Sequence, residues 1–255
     1  MIPVPEGWES LVAGATLWKA AGVGTVAFLS ATLAAVSGFG GAAVLLPVLV
    51  AVFGTRLAVP VLTVAQLIGN GSRVWFNRRD LDYAVVRWFA LGGVPLAVVG
   101  GLLFATAPLH VLTRAIGVFL LLIVLWRRRG PKVRWRPSLR AFAGIGAASS
   151  LLSALVGSVG PLMAPLFLSY GLVRGAYIGT EALATVVMHV TKLAAYREAQ
   201  VLPASALVAG LGLGPMMIAG SWVGKRIVHR MPERVFVAVI ESTMVAAGLL
   251  FVIKG

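Results

Sequence analysis

The chain has 255 residues, of which 59% are hydrophobic and 12% charged. A soluble domain carries roughly 45–50% apolar and about 25% charged residues. With a mean hydropathy of +0.95, this apolar surface exceeds what a soluble core hides, so lipid must act as part of the solvent. That excludes an ordinary globular enzyme, a disordered chain and a collagen-like fibre. The net charge of +14 reads as the Lys and Arg of cytoplasmic loops under the positive-inside rule, not as a nucleic-acid footprint.

In chain order, Met1–Ser10 carries Glu6 and Glu9 without a basic stretch, so no cleavable signal peptide is expected. An apolar run, Ala20–Ser37, ends in the break Gly38-Phe39-Gly40-Gly41, and a short arm, Ala42–Phe53, follows. Leu57–Asn77, Tyr83–Thr106 and Leu109–Trp126 are the next predicted segments, and a basic connector spans Arg127–Arg140. The second half repeats the plan. Ala141–Val156 ends in the break Gly157-Ser158-Val159-Gly160-Pro161, and a short arm, Leu162–Tyr170, follows. Ala176–Tyr196, Pro203–Gly224 and Arg234–Ile253 complete the chain. Helices are expected throughout, because lipid-exposed backbone must satisfy its own hydrogen bonds. Trp75, Trp88 and Trp126 sit near polar loops, as an interfacial aromatic belt requires.

The halves resemble each other. Pro47 and Arg56 match Pro165 and Arg174 at a spacing of 118; Arg73 matches Lys192 at 119; Pro95 and Gly100 match Pro215 and Gly220 at 120. Pro108 and Val111 match Pro232 and Val235 at 124, a drift that small loop insertions produce. Charge then orients the chain. If each broken unit is a hairpin, Arg78, Arg79, Arg87, the connector, Arg174, Lys225, Arg226, Arg230 and Arg234 fall inside. Only Lys19, Arg56, Arg114, Arg197 and Lys254 fall outside. Reading each broken unit as one crossing puts Lys225–Arg234 outside and breaks the rule.

The fold expected is therefore an all-α polytopic integral membrane protein of two inverted-topology repeats. Each is a glycine-broken helical hairpin plus three transmembrane helices, 8–10 membrane segments in total. The division is 1–126 for the first repeat, 127–140 for a cytoplasmic connector and 141–255 for the second.

Enzymatic chemistry finds little support. There are no cysteines, so disulfides, thiolate metal sites and thiol nucleophiles are excluded. His110, His189 and His229 are scattered, Asp80 and Asp82 share one loop, and no HExxH zinc motif occurs. Gly22-Val-Gly24-Thr-Val-Ala27 fits a dinucleotide fingerprint, but it follows no strand. No catalytic residue, metal or cofactor is expected.

The breaks are where a solute site belongs. Glycine lets backbone approach a ligand, and the helix N-termini that restart after each break present N–H groups and partial positive charge to an anion. Ser37, Gly38, Phe39, Gly40 and Gly41, with Gly157, Ser158, Val159 and Gly160, are the candidate contacts. The alternative is that these glycines only permit tight helix packing, as Gly220 and Gly224 are expected to do. Gln66, Asn70 and Arg73 share one helix face at i, i+4 and i+7 and join the candidate set, as do His189 and Lys192. Arg73 and Lys192 either face the site or snorkel to the interface. His189, Glu181 and Glu241 are candidates for coupling; His189 and Glu241 serve equally as packing residues.

Ser37-Gly-Phe-Gly-Gly-Ala-Ala-Val-Leu-Leu-Pro47, echoed by Gly157-Ser-Val-Gly-Pro-Leu-Met-Ala-Pro165, resembles the signature of the TauE/SafE sulfite exporter family of the toluene sulfonate uptake permease superfamily. The likeness covers nearly the whole chain, including its duplication and basic connector. It implies a multi-pass protein of the bacterial inner (cytoplasmic) membrane that moves sulfite, sulfoacetate or a similar organosulfonate. Its partners are then a small anionic solute and membrane lipid, with no nucleic acid and with a homodimer left open. The second break departs from the first, with Ser158-Val159 where the first has Phe39-Gly40, so the half-sites need not contact substrate equally. Related thiosulfate-uptake transporters use cysteines, and this chain has none. Export down the membrane potential is the leading expectation, with an anion channel or a proton-coupled uptake permease as alternatives.

Overall fold

The computed structural model describes residues 15–38, 41–129, 136–227, 245, 248–249 and 251–253. Among them the protein is helical and has no strand. The helices are α1 (Ala15–Ser37), α2 (Gly41–Phe53), α3 (Thr55–Phe76), α4 (Tyr83–Thr106), α5 (Leu109–Arg128), α6 (Ala141–Val156), α7 (Gly160–Tyr170), α8 (Arg174–Glu198), α9 (Ala204–Gly212) and α10 (Gly214–Ile227). Residues 251–253 are helical as well. The expected segments up to Gly224 correspond closely to these helices, with one correction, and most of the last one, Arg234–Ile253, lies outside the described residues. The expected segment Pro203–Gly224 is two helices, α9 and α10, parted at Leu213. Pro215 lacks the N–H that would continue the ladder, and a side chain at Gly212 would meet no neighbour within 4 Å. Pro95, its counterpart in α4, stays inside an unbroken helix. There Gly92 and Gly93 are pressed against Ala143 and Ser150 of α6.

Among the described residues, four stretches are long and apolar enough to cross a membrane: Ala20–Ser37, Tyr83–Thr106, Leu109–Trp126 and Ala204–Ile227. Their outer faces carry Leu91, Val98, Val99, Leu102 and Leu103 on α4, Val118, Leu122 and Leu125 on α5, and Val208, Leu211, Ile218 and Trp222 on α9 and α10, all exposed. An apolar surface this extensive is a lipid-facing one. This is a multi-pass membrane protein. Helices α3 and α8, of 22 and 25 residues, are as long as these but too polar to pass as spans on composition. Packing explains why: they lie against each other at the centre, with α4 on α8 and both α9 and α10 on α3. Shielded by their neighbours, they can carry Gln66, Asn70, Arg73, Glu181, His189 and Lys192 away from lipid.

Helices exchange across the two halves. Helix α1 packs on α10, and α6 packs on α4, more extensively than any other pairs. Small residues make both contacts close. A Cβ on Gly220 or Gly224 would lie 2.2 Å from the Phe28 carbonyl oxygen or 2.5 Å from that of Thr32. One on Gly92 or Gly146 would lie 1.9 Å from the Ala143 oxygen or 2.1 Å from that of Phe89. These glycines serve helix packing, as expected of Gly220 and Gly224.

Between α3 and α4 the chain turns tightly, and Asp82 closes the turn. Its carboxylate accepts from the N–H groups of Ala84 and Val85 at 3.0 and 3.1 Å, capping α4. Its own N–H donates to the Thr180 hydroxyl of α8 at 2.9 Å. Asp82→Ala is expected to cost about 1 kcal/mol, lowering the unfolding midpoint in detergent by roughly 2–4 °C. An unchanged midpoint refutes the capping role.

Candidate functional site

Four glycines have positive φ among the described residues: Gly38 at 78°, Gly54 at 74°, Gly157 at 83° and Gly171 at 116°. They bracket the two short arms, one at each end of α2 and one at each end of α7. Glycine is the residue that takes this conformation without penalty. The arms have 13 and 11 residues, about 20 and 17 Å of helix, too short for a bilayer core of about 30 Å.

The two breaks share one geometry at a spacing of 119 residues. The Gly38 N–H bonds the Ala34 carbonyl at 2.8 Å, and the Gly157 N–H bonds the Ser153 carbonyl at 2.9 Å. A buried cation then meets the same carbonyl in each half. Arg73 Nη1 donates to the Ala34 oxygen at 3.3 Å and the Gly38 oxygen at 3.0 Å. Lys192 Nζ donates to the carbonyl and the hydroxyl of Ser153, both at 3.0 Å. Arg73 is 5% exposed and Lys192 is not exposed. The snorkelling alternative for this pair is therefore corrected: both turn inward and cap the carbonyl ends of α1 and α6, where the helix dipole is negative.

The breaks face one another across a cavity of about 30 Å³. From the first half it is lined by Ala34, Gly38, Gly41, Ala42, Gln66, Asn70 and Arg73. From the second come Ser153, Gly157, Ser158, Val159, Gly160, Met163, Glu181, Thr185, Met188 and His189. Matched positions recur around it: Gly38 with Gly157, Gly41 with Gly160, Gln66 with Thr185, and Asn70 with His189, each pair 119 apart. Helices α2 and α7 both start here, at Gly41 and Gly160, which line the space; in α7 Pro161 carries no N–H, and the N–H groups of Leu162 and Met163 donate to the Val159 carbonyl at 2.9 and 3.2 Å. A volume of this size holds a water or two, and a larger solute needs the walls to part.

Polar groups in the wall divide into bound and unbound. Glu181 is 2% exposed. Its Oε2 lies 3.5 Å from Arg73 Nη1, and its Oε1 accepts from the Thr185 hydroxyl at 3.2 Å. Arg73 Nη2 donates to the Asn70 side-chain oxygen. In contrast, Gln66 Nε2 and His189 Nδ1 are buried without a hydrogen-bond partner. Buried polar atoms are rarely left unpaired, and both of these residues line the cavity. The wall offers a solute unfilled hydrogen-bonding capacity.

Of the candidate residues, the structure gathers Gly38, Gly41, Gly157, Ser158, Val159, Gly160, Gln66, Asn70, Arg73, His189 and Glu181 around this one space. Lys192 stands behind Ser153 rather than in the lining. Ser37 also lies off the cavity; its hydroxyl donates to the Leu33 carbonyl at 2.9 Å. Phe39, Gly40 and Glu241 lie outside the described residues. Sequence reasoning missed Ser153 and Thr185, although the spacing of 119 that relates Arg73 to Lys192 leads from Gln66 to Thr185. It also missed Tyr177, whose hydroxyl donates to the Ser37 carbonyl at 3.1 Å. The Tyr177 ring covers the first break so closely that a Cβ on Gly38 would lie 2.3 Å from it.

Residues 23–251 match the family of the sulfite exporter TauE/SafE. The chain belongs to that family. No curated protein and no solved structure matches it. Membership makes this a membrane transport protein of the sulfite exporter class, as the glycine-and-proline motifs implied. For a TauE/SafE protein, the paired breaks are the part of the molecule where interrupted helices, buried charge and unpartnered polar atoms coincide.

Proposed function

We propose that this chain is a secondary transporter that exports a small sulfur-containing oxyanion, such as sulfite, sulfoacetate or a related organosulfonate, from the cytoplasm. The observation that carries the reading is the convergence of two glycine-started helices, α2 and α7, on one polar cavity backed by two buried cations. In this reading the halves are inverted repeats, the short arms re-enter from opposite leaflets, and their N–H groups share the anion near the midplane. Alternating access then consists of rocking the halves about the breaks. A cavity too narrow for the solute supports a carrier that opens to one side at a time over a standing pore. The connector lies in the cytoplasm and the protein in the inner membrane.

Energetics favour export. An anion leaving a compartment held at about −100 mV gains about 2.3 kcal/mol per charge, roughly a fiftyfold gradient without a coupled ion. Proteoliposomes loaded with sulfite are expected to release it faster under an inside-negative potential, with saturation. Flux that ignores potential and requires a pH gradient overturns the uniport reading. It moves the coupling to Glu181 and His189 in the cavity wall. Flux that never saturates indicates a channel instead.

A further inference from the structure

A second cavity, of about 470 Å³, lies where α3 and α10 end, and it shares no lining residue with the central one. It is lined by Phe76, Asn77, Arg78, Arg79, Asp80 and Lys225. Three cations stand there with one carboxylate, and among the described residues no ion pair neutralises them. Part of this charge caps α3. Arg78 donates to the Trp75 carbonyl at 3.0 Å, and Lys225 donates to that of Phe76. Arg79 is exposed and makes no hydrogen bond or ion pair with the described residues, so capping does not account for it. Two aromatic rings flank the cavity. Trp75 and Trp222 are 64% and 45% exposed. Each carries a guanidinium over its ring, that of Arg78 at 4.4 Å and that of Arg226 at 3.7 Å. Lys225 and Arg226 lie in the last turn of the apolar stretch Ala204–Ile227. The cavity therefore sits at the level where the lipid-facing surface ends.

We propose that this cavity binds the phosphate headgroup of an anionic phospholipid, at the junction of α3 and α10. Charge complementarity carries the assignment. The guanidinium of Arg79 and the remaining donors of Arg78 and Lys225 take the phosphate oxygens. The exposed rings of Trp75 and Trp222 take the glycerol and the upper acyl chains, as aromatic side chains do at a membrane interface. A free phosphate would use the cations alone, so the flanking rings are what single out a lipid. The site also reaches the central cavity through one helix. Asn77, in the lining, donates its side-chain amide to the Arg73 carbonyl at 2.8 Å. A lipid held here braces the end of α3 that carries Arg73. The proposal does not depend on the identity of the transported solute, and its failure leaves the transport reading untouched.

Native mass spectrometry of the detergent-purified full chain tests this, with phosphatidylglycerol and zwitterionic phosphatidylcholine as probes. Wild type is expected to bind phosphatidylglycerol at least tenfold more tightly. Arg79→Gln is expected to weaken that binding about fivefold, the equivalent of about 1 kcal/mol for one charge at a membrane surface, and Arg79→Glu more. Arg79 has no partner among the described residues, so these variants leave the packing of the helices intact. Arg197, exposed at the end of α8, is the control: Arg197→Gln is expected to bind as wild type does. Equal affinity for the two lipids, or equal losses at Arg79 and Arg197, overturns the proposal, because attraction is then spread over the whole basic surface. Inorganic phosphate distinguishes the headgroup of a lipid from the free ion. At millimolar concentration it is expected to leave phosphatidylglycerol in place, and Trp222→Ala is expected to weaken the lipid's binding. Displacement by phosphate together with an inert Trp222→Ala overturns the lipid assignment.

Discussion

Arg73→Met is expected to abolish sulfite flux in proteoliposomes and to destabilise the protein by about 3–5 kcal/mol, because removing one member of a buried ion pair leaves the other uncompensated. The stranded group is Glu181, and the carbonyls of Ala34 and Gly38 lose their donor as well. Adding Glu181→Gln to Arg73→Met removes the stranded charge, so the double variant recovers much of the lost stability. It is not expected to recover transport, since the cation facing the solute is still missing. Thermal unfolding and flux measured on the same three proteins separate the two effects. A double variant that transports at the wild-type rate overturns a role for Arg73 in holding the anion. Arg73→Lys is expected to restore only part of either property. An ammonium lacks the planar fork that lets one guanidinium reach Ala34, Gly38 and Asn70 together.

The second large effect concerns the glycines of the breaks, and it is asymmetric. Gly38→Ala and Gly157→Ala each force an L side chain into positive φ, at about 1–2 kcal/mol. At Gly157 the added methyl meets the tips of Leu46 and Leu62 at 3.2–3.4 Å, which small rotations relieve. At Gly38 it meets the Tyr177 ring at 2.3 Å, and that ring is tethered to the Ser37 carbonyl. Gly38→Ala is therefore expected to lose more stability and more transport than Gly157→Ala. Adding Tyr177→Ala to Gly38→Ala removes the overlap and leaves the backbone cost. If thermal unfolding ranks Gly157→Ala as the more damaging change, or if Tyr177→Ala gives no relief, the tethered ring is not what constrains the first break.

Much of the fold was legible because lipid imposes it. Helix positions followed from apolar runs that must satisfy their own backbone, and the breaks followed from glycine clusters at matched places in the two halves. The site was legible only in part. The fate of Arg73 and Lys192 was ambiguous because a cation near a segment end has two exits, one along the helix to water and one sideways to a neighbour. Only the contact with α1 and α6 decides between them. Ser153 and Thr185 escaped notice because hydroxyls in membrane helices commonly bond their own backbone, as Thr32 does to Phe28 here. Tyr177 reaches the first break across 140 residues of sequence, and no local pattern announces such a contact. The interruption at Leu213 was missed for a related reason: Pro95, the counterpart of Pro215, lies within an unbroken helix, so a proline alone does not announce a break.

Composition and glycine placement determined on their own that this chain lives in a membrane, that each half opens with a glycine-interrupted segment, and that these two interruptions correspond. Those features depend on single-residue chemistry: transfer of apolar groups to lipid, and the freedom of glycine to take positive φ. The tertiary structure decided which charges face each other, which polar atoms go unpaired and how much room lies between the breaks. Pairing and volume belong to the contacts between helices, and the approach of Arg73 to Glu181 exists only once α3 and α8 are packed side by side.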